Sequence, residues 1–251
     1  MVKLALPQPC ALCGESAGAA VCADCEATLP RLGPHCPICA QPRPDQSLAG
    51  SDLSTGAALF ACADLTAGAA ACARCIREAP PYDGTVARFL YDYPVDRLIH
   101  AFKYRGRLGL APFFAGALGE RVQPAGIDVV VPVPLAARRL RERGFNQAHE
   151  LARRIARAHR LALDGRILSR RRDTSPQAAL TVGERERNVL GAFVVAGPVE
   201  GRCIAVVDDV MTTGATLAEA ARALKRAGAA RVENWVAVRA DRGVSELARS
   251  A

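Results

Sequence analysis

Residues 204–216 read Ile204-Ala205-Val206-Val207-Asp208-Asp209-Val210-Met211-Thr212-Thr213-Gly214-Ala215-Thr216. An apolar run, short enough for one buried strand, ends in two adjacent carboxylates and then enters a turn of small and hydroxyl residues. Ligands of an open α/β fold lie beyond the carboxyl ends of its strands, so Asp208 and Asp209 emerge where a ligand is expected. Thr212, Thr213, Gly214, Ala215 and Thr216 lack bulk, which lets a phosphate approach their backbone N–H groups and hydroxyls. The start of the following helix adds favourable potential for an anion. Read together, the carboxylates suit sugar hydroxyls and the turn suits a 5′-phosphate: a phosphorylated ribose. Acidic strand ends before a Thr-capped helix also occur without any ligand, so the weight lies on the whole run and not on its Thr-Gly pair.

Working outward, the chain of 251 residues is long enough for one α/β domain plus a small module, and half of it is apolar. A formal charge of +8 favours anionic partners without choosing among phosphates, nucleotides and nucleic acid. Lys3, Lys103 and Lys225 are the only lysines, so arginine carries almost all of the positive charge. Pro7 interrupts the N-terminus before a secretory apolar core can form. The Ala-rich stretch 56–71 is too short and too weakly apolar to span a bilayer. The expectation is a soluble cytoplasmic protein with no membrane insertion.

Nine of the ten cysteines fall in the first 75 residues, and eight form Cys-x-x-Cys pairs: Cys10/Cys13, Cys22/Cys25, Cys36/Cys39 and Cys72/Cys75. Each pair presents two thiolates from one tight turn, and two pairs complete a tetrahedral zinc site. With a reducing compartment expected, metal is favoured over disulfides. The simplest pairing joins the first two pairs in one site and the last two in a second, across a flexible insertion at about 40–71. A crossed arrangement stays open on spacing alone. Cys62, Cys203 and His35 read as bystanders. Four-cysteine sites leave no open coordination position, so one or two structural Zn²⁺ ions are expected, their binding energy serving folding.

From Pro81 the texture changes to alternating strand and helix patterns, which imply a mainly parallel sheet flanked by helices. This divides the chain into a zinc-binding module over 1–80 and an α/β domain over 81–251. Val95, Leu98, Ile99 and Phe102 recur at helical spacing, and Lys103 follows at the helix end, suited either to the helix terminus or to a phosphate. Residues 127–131 read as a strand ended by Pro132-Val133-Pro134. Arg138, Arg139, Arg141 and Arg143 come next, Arg138 and Arg139 reading as a solvated face, and Asn146 caps the next helix. Arg170 to Gln177 and Leu180 to Asn188, with Arg172 and Arg185, lack core periodicity and read as a mobile basic flap able to close over a polyanion. Thr216 and Glu219 fit a capping box, Gly228 a helix stop, and 234–238 a further strand.

The run 206–216 closely resembles the phosphoribosyl pyrophosphate motif of type I phosphoribosyltransferases. Combined with the cysteine pairs, the chain resembles the ComF family, also called competence protein F or amidophosphoribosyltransferase-like, across nearly its whole length. Further matching residues are Pro81-Tyr82-Asp83, His100-Ala101-Phe102-Lys103-Tyr104, Val131-Pro132-Val133-Pro134, Arg143-Gly144-Phe145-Asn146-Gln147, Arg172-Asp173-Thr174 with Gln177, and Arg185 with Asn188. Its departure is the long interval between the third and fourth cysteine pairs. The resemblance implies a type I phosphoribosyltransferase fold, an N-terminal zinc module and a role in DNA uptake during natural transformation. It implies phosphoribosyl pyrophosphate with Mg²⁺ as substrate and a nitrogen acceptor it does not identify. Asp208 and Asp209 would hold ribose hydroxyls and hydrated metal. Met211, Thr212, Thr213, Gly214, Ala215 and Thr216 would hold the 5′-phosphate, with Lys103, Arg143, Arg172 and Arg185 as further substrate-binding cations. The alternative is a non-catalytic, nucleotide-responsive adaptor that binds single-stranded DNA alongside the competence machinery.

Overall fold

The computed structural model describes residues 9–16, 18–43, 71–171 and 189–241. Five strands, β1 (Gly84–Leu90), β2 (Val129–Pro132), β3 (Ala162–Leu163), β6 (Cys203–Met211) and β7 (Arg231–Arg239), form one sheet in the order β1-β7-β6-β2-β3. Every pairing in it is parallel. A separate antiparallel pair joins β4 (Leu168–Arg170) to β5 (Phe193–Val195).

Alternation along β6 explains how one short run serves two layers. Ile204 and Val206 enter the cluster on one face, and Ala205 and Val207 the cluster on the other, all of them fully buried. The Ala205 face packs against α3 (Val95–Tyr104), α4 (Leu110–Gly119) and α6 (Gln147–His159) through Leu98, Phe102, Phe114, Leu118, Leu151 and Ile155. Each such aliphatic or aromatic side chain contributes about 1.5–3 kcal/mol by leaving water. The Val206 face carries Leu217, Ala221 and Leu224 of the helix Ala215–Arg226, here α7, together with the β4–β5 pair.

Several boundaries differ from the sequence reading. The strand expected over 127–131 runs from Val129 to Pro132, and Pro132 still pairs in register with Val207. The arginines after it lie on a short helix, α5 (Ala137–Arg143), closed by Gly144 at φ +76°. Asn146 caps α6 as expected, its Oδ1 accepting from Ala148 N at 3.0 Å and His149 N at 3.4 Å. The capping box at Thr216 and Glu219 does not form: Gly214, at φ +81°, caps α7 without a side-chain bond. Glu219 is instead buried, accepting from Gly191 N and pairing with Arg222. With Gly214 as the cap, the residue placed to reach back is Leu217, and Glu219 lies two positions beyond it. Gly228 stops the helix at φ +95°, where an added Cβ would meet Glu200 Cγ at 3.2 Å.

The cysteine-rich residues are fastened to the sheet. Leu32 N donates to Arg88 O and Leu90 N to Pro30 O, both at 2.9 Å, covering the outer edge of β1. Two short helices, α1 (Ala23–Ala27) and α2 (Ala73–Arg77), carry Cys25 and Cys75. Residues 40–43, expected within the insertion, belong to an ordered knuckle in which Cys36 N donates to Gln41 O and Arg43 N to Pro34 O. Residues 44–70 of the expected insertion, including Cys62, and residues 172–188 of the expected flap, with Arg172 and Arg185, lie outside the described residues, whereas Arg170, expected to open the flap, ends β4. Among the described residues, no helix is long and apolar enough to cross a membrane.

Candidate functional site

Parallel neighbours β2 and β6 end at the same edge of the sheet, and their C-terminal ends open onto a cavity of about 690 Å³. Its wall includes Asp208, Asp209, Val210 and Met211 of β6, the turn 212–214 and the first residues of α7, Val133 and Pro134 beyond β2, and the cations Lys103, Arg143 and Arg170. The loop after β2 is held by Val133 N donating to Val207 O at 2.9 Å and by Asn146 Nδ2 donating to Val133 O at 3.0 Å.

The two carboxylates differ in setting. Asp209 is 6% exposed, and its Oδ1 meets Lys103 Nζ at 2.9 Å. Burial, the largest single influence, would lower the Lys103 pKa, but the charge and hydrogen bond of Asp209 together with the charge of Asp208 outweigh it and hold the ammonium above its ordinary value. Asp208 is half-buried, and its Oδ1 accepts from Asp209 N at 2.8 Å. Desolvation, reinforced by the Asp209 charge, pushes the Asp208 carboxyl up to about 7. A cation or a set of hydroxyl donors entering the cavity would relieve that strain on the ionised form.

The turn has the small-residue geometry expected of it. Gly214 is buried in the left-handed region, and Thr213 Oγ1 accepts from Ala215 N at 3.2 Å. Thr212 is exposed, while Thr213, Ala215 and Thr216 are half-buried along the cavity wall. Lys103 thus sits on the acidic pair and at the end of a helix at once. Arg143 lies over the Tyr104 ring, 4.8 Å from its centroid, and donates to Gln147 Oε1 at 3.4 Å. Arg138 and Arg139, read as a solvated face, line the same cavity, although Arg138 pairs with Glu142 at 2.8 Å and is largely exposed.

Two four-cysteine groups assemble as the simplest pairing has them: Cys10, Cys13, Cys22 and Cys25 in one, Cys36, Cys39, Cys72 and Cys75 in the other. Within each group the sulfur atoms all lie within 4.8 Å of one another, which excludes the crossed arrangement. Four convergent cysteine sulfurs, joined in neither group by a His, Asp or Glu among the described residues, fit structural Zn²⁺. Cys22 N donates to Cys10 Sγ at 3.4 Å and Cys72 N to Cys36 Sγ at 3.2 Å, the amide-to-sulfur bonds that orient metal ligands. His35, bonded to Gly33 O, and Cys203 join neither group.

Sequence reasoning placed Arg170 only in the basic flap and Tyr104 only among the residues matching the family, and it missed Gln41 and Arg239. Arg239 ends an apolar run at 235–238 and carries no local signal, since its partners are as many as 200 residues away. Only the fold brings them together.

Comparison with known proteins agrees with this architecture. A family model described as a phosphoribosyl transferase domain matches residues 123–251, and one described as a double zinc ribbon domain matches residues 1–53. The DNA utilization protein YhgH of Escherichia coli K12 is 38% identical over 171 residues, covering 65% of this chain and 75% of that protein. Competence protein F of Haemophilus influenzae is 30% identical over 179 residues, covering 67% and 78%. Competence protein ComFC of Bacillus subtilis is 28% identical over 227 residues, covering 87% and 84%. Among solved structures, glutamine phosphoribosylpyrophosphate amidotransferase of B. subtilis superposes with a TM-score of 0.39 at 20% identity, over 54% of this chain and 30% of that one. That likeness carries no argument about activity. With the matched phosphoribosyl transferase domain, the paired four-cysteine groups and these competence relatives, the chain belongs to the ComF family of phosphoribosyltransferase-fold proteins.

Proposed function

We propose that this protein binds phosphoribosyl pyrophosphate with Mg²⁺ and transfers the phosphoribosyl group to a nitrogen acceptor, in a process linked to DNA uptake. One observation carries the reading: the acidic pair and the small-residue turn share one cavity with Lys103 and Arg143. Mg²⁺, when present, would neutralise charge on the diphosphate and help it leave. Asp208 and Asp209 accept hydrogen bonds from the ribose hydroxyls and orient the sugar. The turn 211–216 receives the 5′-phosphate through backbone N–H groups and the hydroxyls of Thr212, Thr213 and Thr216. Lys103 stabilises Asp209 in the resting cavity and turns toward the diphosphate once the sugar hydroxyls engage that carboxylate. Rate enhancement comes from positioning and fixed charge, with no covalent step on the protein. The division into a zinc-binding unit over 1–80 and a transferase unit over 81–251 belongs to the same reading, as does the cytoplasm as its place of work.

Pyrophosphate release from phosphoribosyl pyrophosphate and Mg²⁺, screened over nitrogen acceptors, tests the proposal. Tight substrate binding with no release under any acceptor would overturn catalysis. A second reading, an adaptor for single-stranded DNA, is favoured by the exposed Tyr104 stacked under Arg143 on the cavity rim and by the charge of +8. Its signature is a fall in log affinity of ~0.7 per neutralised phosphate for each decade of salt. Oligonucleotide affinity indifferent to ionic strength rules it out.

A further inference from the structure

Arg239, the last residue of β7, is fully buried, and its guanidinium spends its donors on two distant pieces of chain. Nε donates to Cys39 O at 3.0 Å and Nη2 to Gln41 Oε1 at 2.9 Å, both within the second four-cysteine knuckle. Nη1 donates to Met211 O at 3.0 Å and to the carbonyl of Thr212, at the entrance to the phosphate turn, as well as to the carbonyl of its own neighbour Ala240. Burying a guanidinium is costly unless its donors are used, so these contacts hold one another in place. Gln41 is fixed in turn by donating from Nε2 to Asp241 Oδ1 at 2.6 Å.

The knuckle is also pinned to the sheet. Thr85 Oγ1 donates to Ile38 O at 2.6 Å and Thr85 N to Pro37 O at 3.0 Å. Cys39 and Cys75 share a cavity of about 560 Å³ with Thr213, Gly214 and Ala215, so the cysteine site and the turn are adjacent walls of one space. The first cysteine site is placed otherwise: Val21 and Leu29 beside it pack into the cluster on the opposite face of the sheet.

Peptide geometry gives the contact a consequence for binding. In a trans peptide the C=O of one residue and the N–H of the next point in opposite directions. Clamping the carbonyls of Met211 and Thr212 on Arg239 therefore turns the N–H groups of Thr212 and Thr213 away from the guanidinium, fixing donors that a phosphate needs preorganised.

We propose that Arg239 is a positioning residue for the phosphate turn, and that metal occupancy of the Cys36, Cys39, Cys72, Cys75 site sets how tightly that turn holds a phosphate. The proposal rests on reading residues 211–216 as the phosphate cradle. Coupling between two sites is reciprocal, so a bound phosphate must also retain the metal.

The test uses the full-length, zinc-loaded protein with ribose 5-phosphate as the probe. Hydrogen exchange at the amides of 211–216 should accelerate about tenfold in Arg239→Gln and in Cys72→Ser, within the range usual for coupled sites. Arg239→Lys, which keeps a charge and three donors, should recover part of the protection. Cys13→Ser, which opens the first site, should loosen residues 10–25 and leave the turn as it is. Affinity for ribose 5-phosphate should follow the same order. A turn equally protected in Cys72→Ser and the unaltered protein overturns the proposal, as does a turn loosened equally by Cys13→Ser. Should the unaltered protein bind no ribose 5-phosphate, the phosphate reading falls, and the exchange data alone decide whether Arg239 couples the two sites. Where Cys72→Ser does not fold, the unaltered protein is treated with chelator and an alkylating agent. Saturating ribose 5-phosphate should then slow labelling of Cys72 and Cys75 relative to Cys13 and Cys25. Equal slowing of all four overturns the coupling.

Discussion

Lys103 Nζ and Asp209 Oδ1 are 2.9 Å apart, joining the last turn of α3 to the end of β6 across 106 residues of chain. Both groups are largely shielded from water, so neither charge can be removed without stranding the other. The pair holds a cation and a carboxylate together on the wall of the cavity.

Replacing Asp209 by Asn should cut pyrophosphate release by about 10²–10³, the loss typical when a preorganised group aimed at a reacting centre is removed. Lys103→Met should lower the rate as well and also destabilise the fold, by about 3–5 kcal/mol, because it leaves Asp209 buried and uncompensated. Single-turnover rates and chemical denaturation separate the two effects. A rate unchanged in Asp209→Asn would remove this carboxylate from the mechanism.

Asp208 makes stability depend on pH in a particular direction. Its folded carboxyl titrates at about 7, against about 3.9 in an unfolded chain. The folded state therefore holds the proton longer, and stability falls as pH rises from about 4 to about 7, where the penalty is complete. Asp208→Asn should relieve it, gaining about 1–2 kcal/mol at pH 8 once cleft water is allowed for, and much less at pH 4. Thermal melts at the two pH values check this. Mg²⁺-dependent substrate binding, which needs the ionised carboxylate, should tighten with pH through about 7 and lose that dependence in the variant.

Asn146 ties two elements together, capping α6 through Oδ1 and holding Val133 O through Nδ2. Asn146→Ala should cost about 1 kcal/mol for the cap. It should also free the loop after β2, so that KM for phosphoribosyl pyrophosphate rises more than kcat falls. Asn146→Asp keeps the cap acceptor but loses the donor to Val133. It should restore stability while leaving KM high, as steady-state kinetics beside denaturation would show.

Native mass spectrometry should count two Zn²⁺ per chain, released only by strong chelators, since structural zinc commonly contributes roughly 10–16 kcal/mol of apparent binding energy. Loss of one ion on mutating Cys13 and of the other on mutating Cys72 would match the two groups. Loss of both ions from either single variant would contradict their independence as metal sites.

Much of this was open to reading in the chain itself. The apolar run ending at Val207 and the small turn specify local geometry, a strand buried on both faces and a glycine at positive φ entering a helix, but the acid pair does not mark the strand's end: β6 runs through Asp208 and Asp209 to Met211, because β7 continues to pair with it there. Cys-x-x-Cys spacing is equally local, because a single turn presents both thiolates. The capping box failed for a local reason too: Gly214 starts α7 early enough that Glu219 falls inside the helix and turns into the core. The arginines after β2 were harder to place, since their charge describes a solvated surface and a short helix on a cavity rim equally well.

The amino-acid order alone thus determined the buried β6 strand, the small-residue turn after it and the composition of the cysteine groups, because each is fixed by neighbours a few residues apart. Tertiary structure decided which cysteine pairs meet, that Lys103 rests on Asp209, and that Arg239 spans from a cysteine knuckle to the turn. Those relations join residues up to 200 positions apart, and no local periodicity or propensity encodes a distance that exists only once the sheet has closed its layers.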